Sequence, residues 1–213
     1  DELSYPGILG IAELLSLSLI AVSADAGGMS PRELDRACRR HGPGALYLMP
    51  TIHNPTGVVM SDARRVSLCE VACAHQQFII EDAANRMLLA KAPPSMRQLA
   101  PERTFLVASV SKIVAAGLRV AFLAAPEEHM PALVRQVWGT QWMVSPLGLE
   151  IVAMWLEDGS VDATLKRNRK EARRRQAVVQ QVFGGRGYRA HPNALHVWVD
   201  LPKPWVSERL TEE

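Results

Sequence analysis

Strand-length runs that are apolar without alternation constrain this chain most. Leu19-Ile20-Ala21-Val22, Ala45-Leu46-Tyr47-Leu48-Met49, Phe78-Ile79-Ile80, Thr104 to Ala108 and Val120 to Ala124 are such runs. A strand with one face in water alternates polar and apolar residues. A strand apolar on both sides needs cover on both faces. Helical patterns lie between the runs. Ser30 and Pro31 predict a helix from Pro31 to Arg40, with the serine as cap and the proline at the first position. Ser61 predicts the cap of a second helix running to about Gln76. This alternation predicts an α/β domain whose mostly parallel sheet is flanked by helices.

The pattern changes after Pro126. Helices are expected around Met130 to Val137, from Leu147 to Leu156 and from Val161 to Phe183. Gly184-Gly185-Arg186-Gly187 then breaks the chain, and Leu195 to Leu201 alternates like a half-exposed strand. The reading is a large α/β domain over residues 1–126, a helical connection at its edge over 127–160, and a linking helix with the start of a small α+β C-terminal lobe over 161–213. The chain opens on a loop, Asp1 to Gly7, and stops inside what reads as a helix. Both ends are expected to be cut from a longer protein.

With 213 residues, 48% of them hydrophobic, the chain can bury a sizeable core. Charged residues make up 22% and mean hydropathy is near zero, which argues against disorder and against a membrane protein. A formal net charge of +2 is too small to argue for nucleic acid or an anionic membrane surface. The apolar stretch Ile8 to Val22 is interrupted by Glu13 and serines and has no basic flank, so neither a membrane span nor a signal peptide is expected. The cysteines Cys38, Cys69 and Cys73 are sparse and odd in number, which fits a reducing, cytoplasmic setting rather than a disulfide framework. Cys69, Cys73 and His75 could hold a metal, but no partner pair at suitable spacing exists. The simpler reading is small buried helix residues.

Chemistry is expected at the strand ends, because ligands of open parallel sheets collect outside the carboxyl ends of the strands. Asn54-Pro55-Thr56-Gly57, Glu81-Asp82 and Ser109-Val110-Ser111-Lys112 each follow a predicted strand, and Gly117-Leu118-Arg119 comes shortly after. The sheet would therefore gather an amide, a carboxylate, hydroxyls, an amine and a guanidinium at one crevice. Pyridoxal 5'-phosphate (PLP) requires that inventory. Lys112 could bond its aldehyde as an aldimine. Asp82 could pair with the protonated ring nitrogen. Asn54 could donate to the ring hydroxyl, and Ser109, Ser111 and Arg119 could hold the phosphate. Singly, each has a plain alternative: a turn, a helix cap, a solvated lysine, a surface ion pair. Their order along the chain carries the argument.

That order resembles the class I/II aminotransferases of PLP fold type I over nearly the whole chain. The stretch Tyr47 to Gly57, with Ala100-Pro101-Glu102-Arg103-Thr104-Phe105, looks most like the aminotransferase-like domain of MocR-type regulators in the GntR superfamily. The resemblance implies PLP at Lys112, with Asp82, Asn54, Ser109, Ser111 and Arg119 in the roles just given. It also implies a homodimer, and DNA contact only through a domain outside this chain. The sequence departs from the family at Asn85, where a tyrosine that reaches the ring hydroxyl is usual, and at Ala116, where a proline is usual. The family's upstream glycine-rich phosphate turn and its late arginine for the substrate carboxylate are not in this sequence. Two functions follow: a regulator domain that senses an amino-acid-like compound, or a working aminotransferase moving an amino group to a 2-oxo acid. A degenerate scaffold serving only dimerisation is the non-PLP reading.

The basic run Lys166 to Arg175 would suit a DNA-contacting helix; the favoured reading is a solvated face of a helix linking two lobes. Trp138 and Trp142 are expected to pack in a core or interface. His53 could touch a ligand or stabilise its turn, and His191 and His196 are read as structural.

Overall fold

The computed structural model describes residues 1–184 and 187–205. The helix expected to run on to Glu213 and part of the Gly184–Gly187 break lie outside the described residues. The chain begins with helix α1 (Pro6–Leu14), a hairpin of β1 (Ala24–Asp25) and β2 (Gly28–Met29), and helix α2 (Pro31–His41). Next come β3 (Ala45–Leu48), α3 (Asp62–Ala74), β4 (Phe78–Asp82), α4 (Met96–Leu99), β5 (Thr104–Ser109) and β6 (Ala121–Ala124). Helices α5 (Met130–Gln141), α6 (Pro146–Glu157) and α7 (Ser160–Phe183) follow, and then a pair of short strands, β7 (Tyr188–Arg189) and β8 (Trp198–Val199). The expected caps form. Ser30 Oγ accepts from the Glu33 N–H at 3.4 Å, and Ser61 Oγ accepts from the Arg64 N–H at 3.2 Å.

The main sheet has the order β3-β4-β5-β6. The first three strands are parallel, and β6 returns antiparallel against β5. The register pairs Leu46 with Ile79 and Leu48 with Glu81. Side chains alternate across a strand, so these four share one face. That face is buried against α2, α3 and α4 through Leu34, Cys38, Leu68, Ala72 and Met96. Tyr47, Ile80 and Asp82 occupy the opposite face. Cys69 is a buried helix residue of this core, and burial pushes its thiol up to about 12.

Two expectations need correction. Leu19–Val22 forms no strand; Leu19 and Ile20 are about half exposed and only Val22 is buried. Apolar residues favour extension, but a ladder needs a neighbour within hydrogen-bonding reach. Here a cavity of about 440 Å³ separates Leu19–Val22 from Ala45–Tyr47. In the run Leu195–Leu201 only Trp198–Val199 pairs, with Tyr188–Arg189. Trp138 and Trp142 are 66% and 70% exposed, with ring centroids 6.4 Å apart; they pack in no core of this chain, which leaves the interface of the two expected settings.

Candidate functional site

Strands β4 and β5 run parallel, so Asp82 and the Ser109–Lys112 segment leave the sheet at the same carboxyl edge. β4 ends on Asp82, in register with Val107 of β5. β5 continues through Ser109 into a 3-10 turn, Val110–Lys112. Asp82 is held on both oxygens. The Tyr47 hydroxyl donates to Oδ2 at 2.8 Å, and the Ala84 N–H donates to Oδ1 at 3.0 Å. Burial, then the Asp82 charge, holds the Tyr47 phenol well above its ordinary value of 10.0.

The turn that carries Asn54 is built tightly. The His53 N–H donates to the Val58 carbonyl at 2.8 Å, and the Gly57 N–H donates to the His53 carbonyl at 2.6 Å. Ile52 is fully buried with φ +51°. A β-branched residue there costs about 1–3 kcal/mol, which the surrounding bonds must offset. One of those bonds comes from Asn85, whose Nδ2 donates to the Ile52 carbonyl at 2.8 Å. The residue standing in the family's tyrosine position thus braces one site loop against another. Asn54 itself is half-buried.

His53 takes the turn-stabilising role. Thr56 Oγ1 lies 2.8 Å from Nδ1, and Asp1 Oδ2 lies 3.2 Å from Nε2. Burial holds the His53 ring below its ordinary value, with His196 acting in the same direction. The neutral ring therefore accepts at Nδ1 and donates at Nε2. His196 Nε2 donates to the His53 carbonyl at 3.0 Å, so the turn is tied to the segment around His196.

Past the end of β5 the Ser109 hydroxyl donates to Ser111 Oγ at 2.9 Å, and the Ser111 N–H donates to Ser109 Oγ at 3.1 Å. Lys112 and Arg119 are exposed, and neither makes an ion pair among the described residues. Arg119 closes a second 3-10 turn, Ala116–Leu118, at φ +55°. The geometry thus joins Asn85 to the Asn54 turn and Ser109 to Ser111, and puts Asp82, Lys112 and Arg119 on adjoining loops. A cavity of about 570 Å³ lies beside this edge, lined by His53, Thr56, Gly57 and Arg189 rather than by Lys112 or Asp82.

Several residues that shape the site were not singled out for it from sequence. Tyr47 was legible only as part of an apolar run, although its place between Leu46 and Leu48 puts it on the opposite face. Asn168 of α7 donates to the Ile113 carbonyl, next to Lys112, at 2.7 Å. Arg169 donates to the Met87 and Leu89 carbonyls at 2.7 and 2.9 Å, just past Asn85. Arg173 donates to Asn193, while Arg174 and Arg175 both pair with Glu171 at 2.8 Å. The basic run is thus mostly exposed, and Arg169 and Arg173 bond to other segments of the chain. Its arginines had signalled charge in the sequence, not their carbonyl partners.

A mixed sheet with hydroxyls, a carboxylate and a lysine at its carboxyl edge defines a transferase-like α/β domain. The family of class I and II aminotransferases matches over residues 1–213, and the chain belongs to it. It is 29% identical over 202 residues to the uncharacterised HTH-type transcriptional regulator YdeF of Bacillus subtilis, covering 95% of this chain and 44% of that protein. It is 28% identical over 184 residues to the HTH-type pyridoxine biosynthesis regulator PdxR of Corynebacterium glutamicum, covering 84% of this chain and 42% of that protein. Among solved structures, LysN, an α-aminoadipate aminotransferase of Thermus thermophilus complexed with N-(5'-phosphopyridoxyl)-L-leucine, superposes with a TM-score of 0.88 at 27% identity. That match covers 98% of this chain and 56% of LysN. The chain therefore spans about half the length of these relatives. No helix among the described residues is long and apolar enough to cross a membrane.

Proposed function

We propose that this chain is the PLP-binding effector part of a MocR-type transcriptional regulator, sensing an amino-acid-like compound. One observation carries the reading: Asp82 is fixed by two donors at the tip of β4, one strand from the loop that presents Lys112. The donor set fits the cofactor. Lys112 would hold its aldehyde carbon, Asp82 its ring nitrogen and Asn54 its ring hydroxyl. Ser109, Ser111 and Arg119 would hold the phosphate, with Asn85 keeping the Asn54 turn in place. When bound, PLP supplies a carbonyl that takes up amines and a ring that withdraws electrons.

The regulator reading is favoured by relatives such as YdeF and PdxR, and by Asn85. An amide already spent on the Ile52 carbonyl offers no phenol for acid–base work. DNA contact would come from a domain outside this chain, in the cytoplasm and as a homodimer. The exposed Trp138, Trp142 and Leu147 favour such a partner surface. The second reading, an aminotransferase, is favoured by the likeness to LysN. In it Lys112 would also move the proton.

The test uses the full-length protein with PLP. Borohydride reduction followed by peptide mapping should place the cofactor on Lys112, and Lys112→Ala should lose both the label and the visible absorbance band. Mapping to another lysine would end this reading. DNA binding that responds to an amino acid, without turnover against a 2-oxo acid, separates regulator from enzyme.

A further inference from the structure

We infer that Tyr47 is a positioning residue for the cofactor ring, presenting Asp82 in one orientation and favouring the proton on the ring nitrogen. The inference deepens the PLP reading and rests on it. Tyr47 sits at the one position of β3 whose neighbours, Leu46 and Leu48, both point into the buried core. Its own side chain therefore lies on the face of Asp82, by the register that pairs Tyr47 with Ile80. A phenylalanine would cover the same apolar area. The hydroxyl adds one thing among the described residues, the 2.8 Å bond to Asp82 Oδ2.

That bond has two consequences. With the Ala84 N–H on Oδ1, it leaves the carboxylate no free rotation about χ2, so the acid is preset before a ligand arrives. The hydroxyl already fills a lone pair of Oδ2 with a hydrogen, so a proton shared between this carboxylate and a bound pyridine would sit with the nitrogen. The phenol is suited to this. It is half-buried, and its burial beside a negative charge resists deprotonation, so it remains a donor at every physiological pH.

The test compares wild type, Tyr47→Phe and a protein with fluorinated tyrosine at position 47, a stronger donor, all full-length. The readouts are ring-nitrogen NMR of isotopically labelled PLP and the cofactor dissociation constant. Tyr47→Phe should move the ring-nitrogen signal toward the unprotonated side and weaken cofactor binding about threefold to tenfold, a fraction of what one hydrogen bond to a charged group is worth. Fluorination should move the signal the opposite way. A purely structural tyrosine would leave the signal unmoved by fluorination. If Tyr47→Phe fails to fold, the fluorinated protein alone decides, because its shape is nearly unchanged. An unmoved signal with Lys112 carrying PLP overturns this inference and leaves the functional reading standing. No cofactor on Lys112 in wild type overturns both.

Discussion

Replacing Arg65 tests whether the site's scaffold is braced by a buried charge. Arg65 is fully buried on α3, and its guanidinium serves four acceptors: the Met60 carbonyl at 3.0 Å, the Pro94 carbonyl at 3.1 Å, the Pro50 carbonyl at 2.6 Å and Thr51 Oγ1 at 2.9 Å. In Arg65→Met the Pro50 carbonyl keeps the Met60 N–H, 2.9 Å away. The Met60 and Pro94 carbonyls lose the guanidinium, at about 1–2 kcal/mol each. Glu81, fully buried with Oε1 unpartnered, loses one of the two guanidinium charges that offset its burial, at about 2 kcal/mol. The expected cost is about 4–6 kcal/mol at pH 8, a large share of a domain's stability.

Glu81 gives the cost a pH dependence. Burial raises its pKa above 4.5, with the Arg97 N–H, Arg65, Arg86 and the Met96 N–H pulling it back. A folded-state value above the unfolded one means stability present below 4.5 that is lost as pH rises through the folded value. Removing Arg65 pushes Glu81 higher still, so the deficit should shrink as pH falls from 8 to 5. Urea denaturation at both pH values, read as midpoint shifts at constant slope, gives the numbers. The double variant with Glu81→Leu should recover about 2 kcal/mol of the deficit. Additivity within about 0.5 kcal/mol would refute the coupling. A cost below about 1 kcal/mol for Arg65→Met would refute the brace.

Two further substitutions probe the links between loops at the carboxyl edge of the sheet and the segments that follow α6. Gly57→Ala meets φ +73° and puts a methyl 3.0 Å from the His191 nitrogen and 3.1 Å from the Ala190 carbonyl carbon. It should cost about 2–3 kcal/mol by thermal melting and raise hydrogen exchange over residues 188–196; unchanged exchange would argue against the contact. Asn168→Ala leaves the Ile113 carbonyl without its 2.7 Å donor. About 1–2 kcal/mol of stability should be lost, and PLP should be taken up more slowly at the neighbouring Lys112 in stopped-flow absorbance; a wild-type uptake rate would uncouple α7 from that loop.

The fold was legible where local rules act alone. Two caps, four of the five proposed main strands and the long helices follow from residue order, because each is decided within one element or by burial on both faces. Leu19–Val22 was not, because pairing is a property of a neighbour. The candidate residues were legible as an ordered set at strand ends. What the order could not supply is how they are held. Asn85 reads as a missing tyrosine, whereas its amide is engaged with Ile52, 33 residues away in the chain. The bonds from Asn168 and Arg169 to site carbonyls cross 55 and 82 residues and have no local signature.

Glu81 and Asp82 show how one alternation separates two electrostatic tasks. They are adjacent, yet strand pleating sends Glu81 into the core and Asp82 to the opposite face. Glu81 meets apolar side chains, the Arg97 N–H at 3.3 Å and the fields of Arg65 and Arg86, and its pKa is raised. Asp82 meets the Tyr47 hydroxyl and the Ala84 N–H, both donors to its charged form. Exchanging the two residues would place a free carboxylate in the core and an over-long one at the strand tip. The first acid thus lies in the core within the fields of Arg65 and Arg86, and the second is presented at the strand tip.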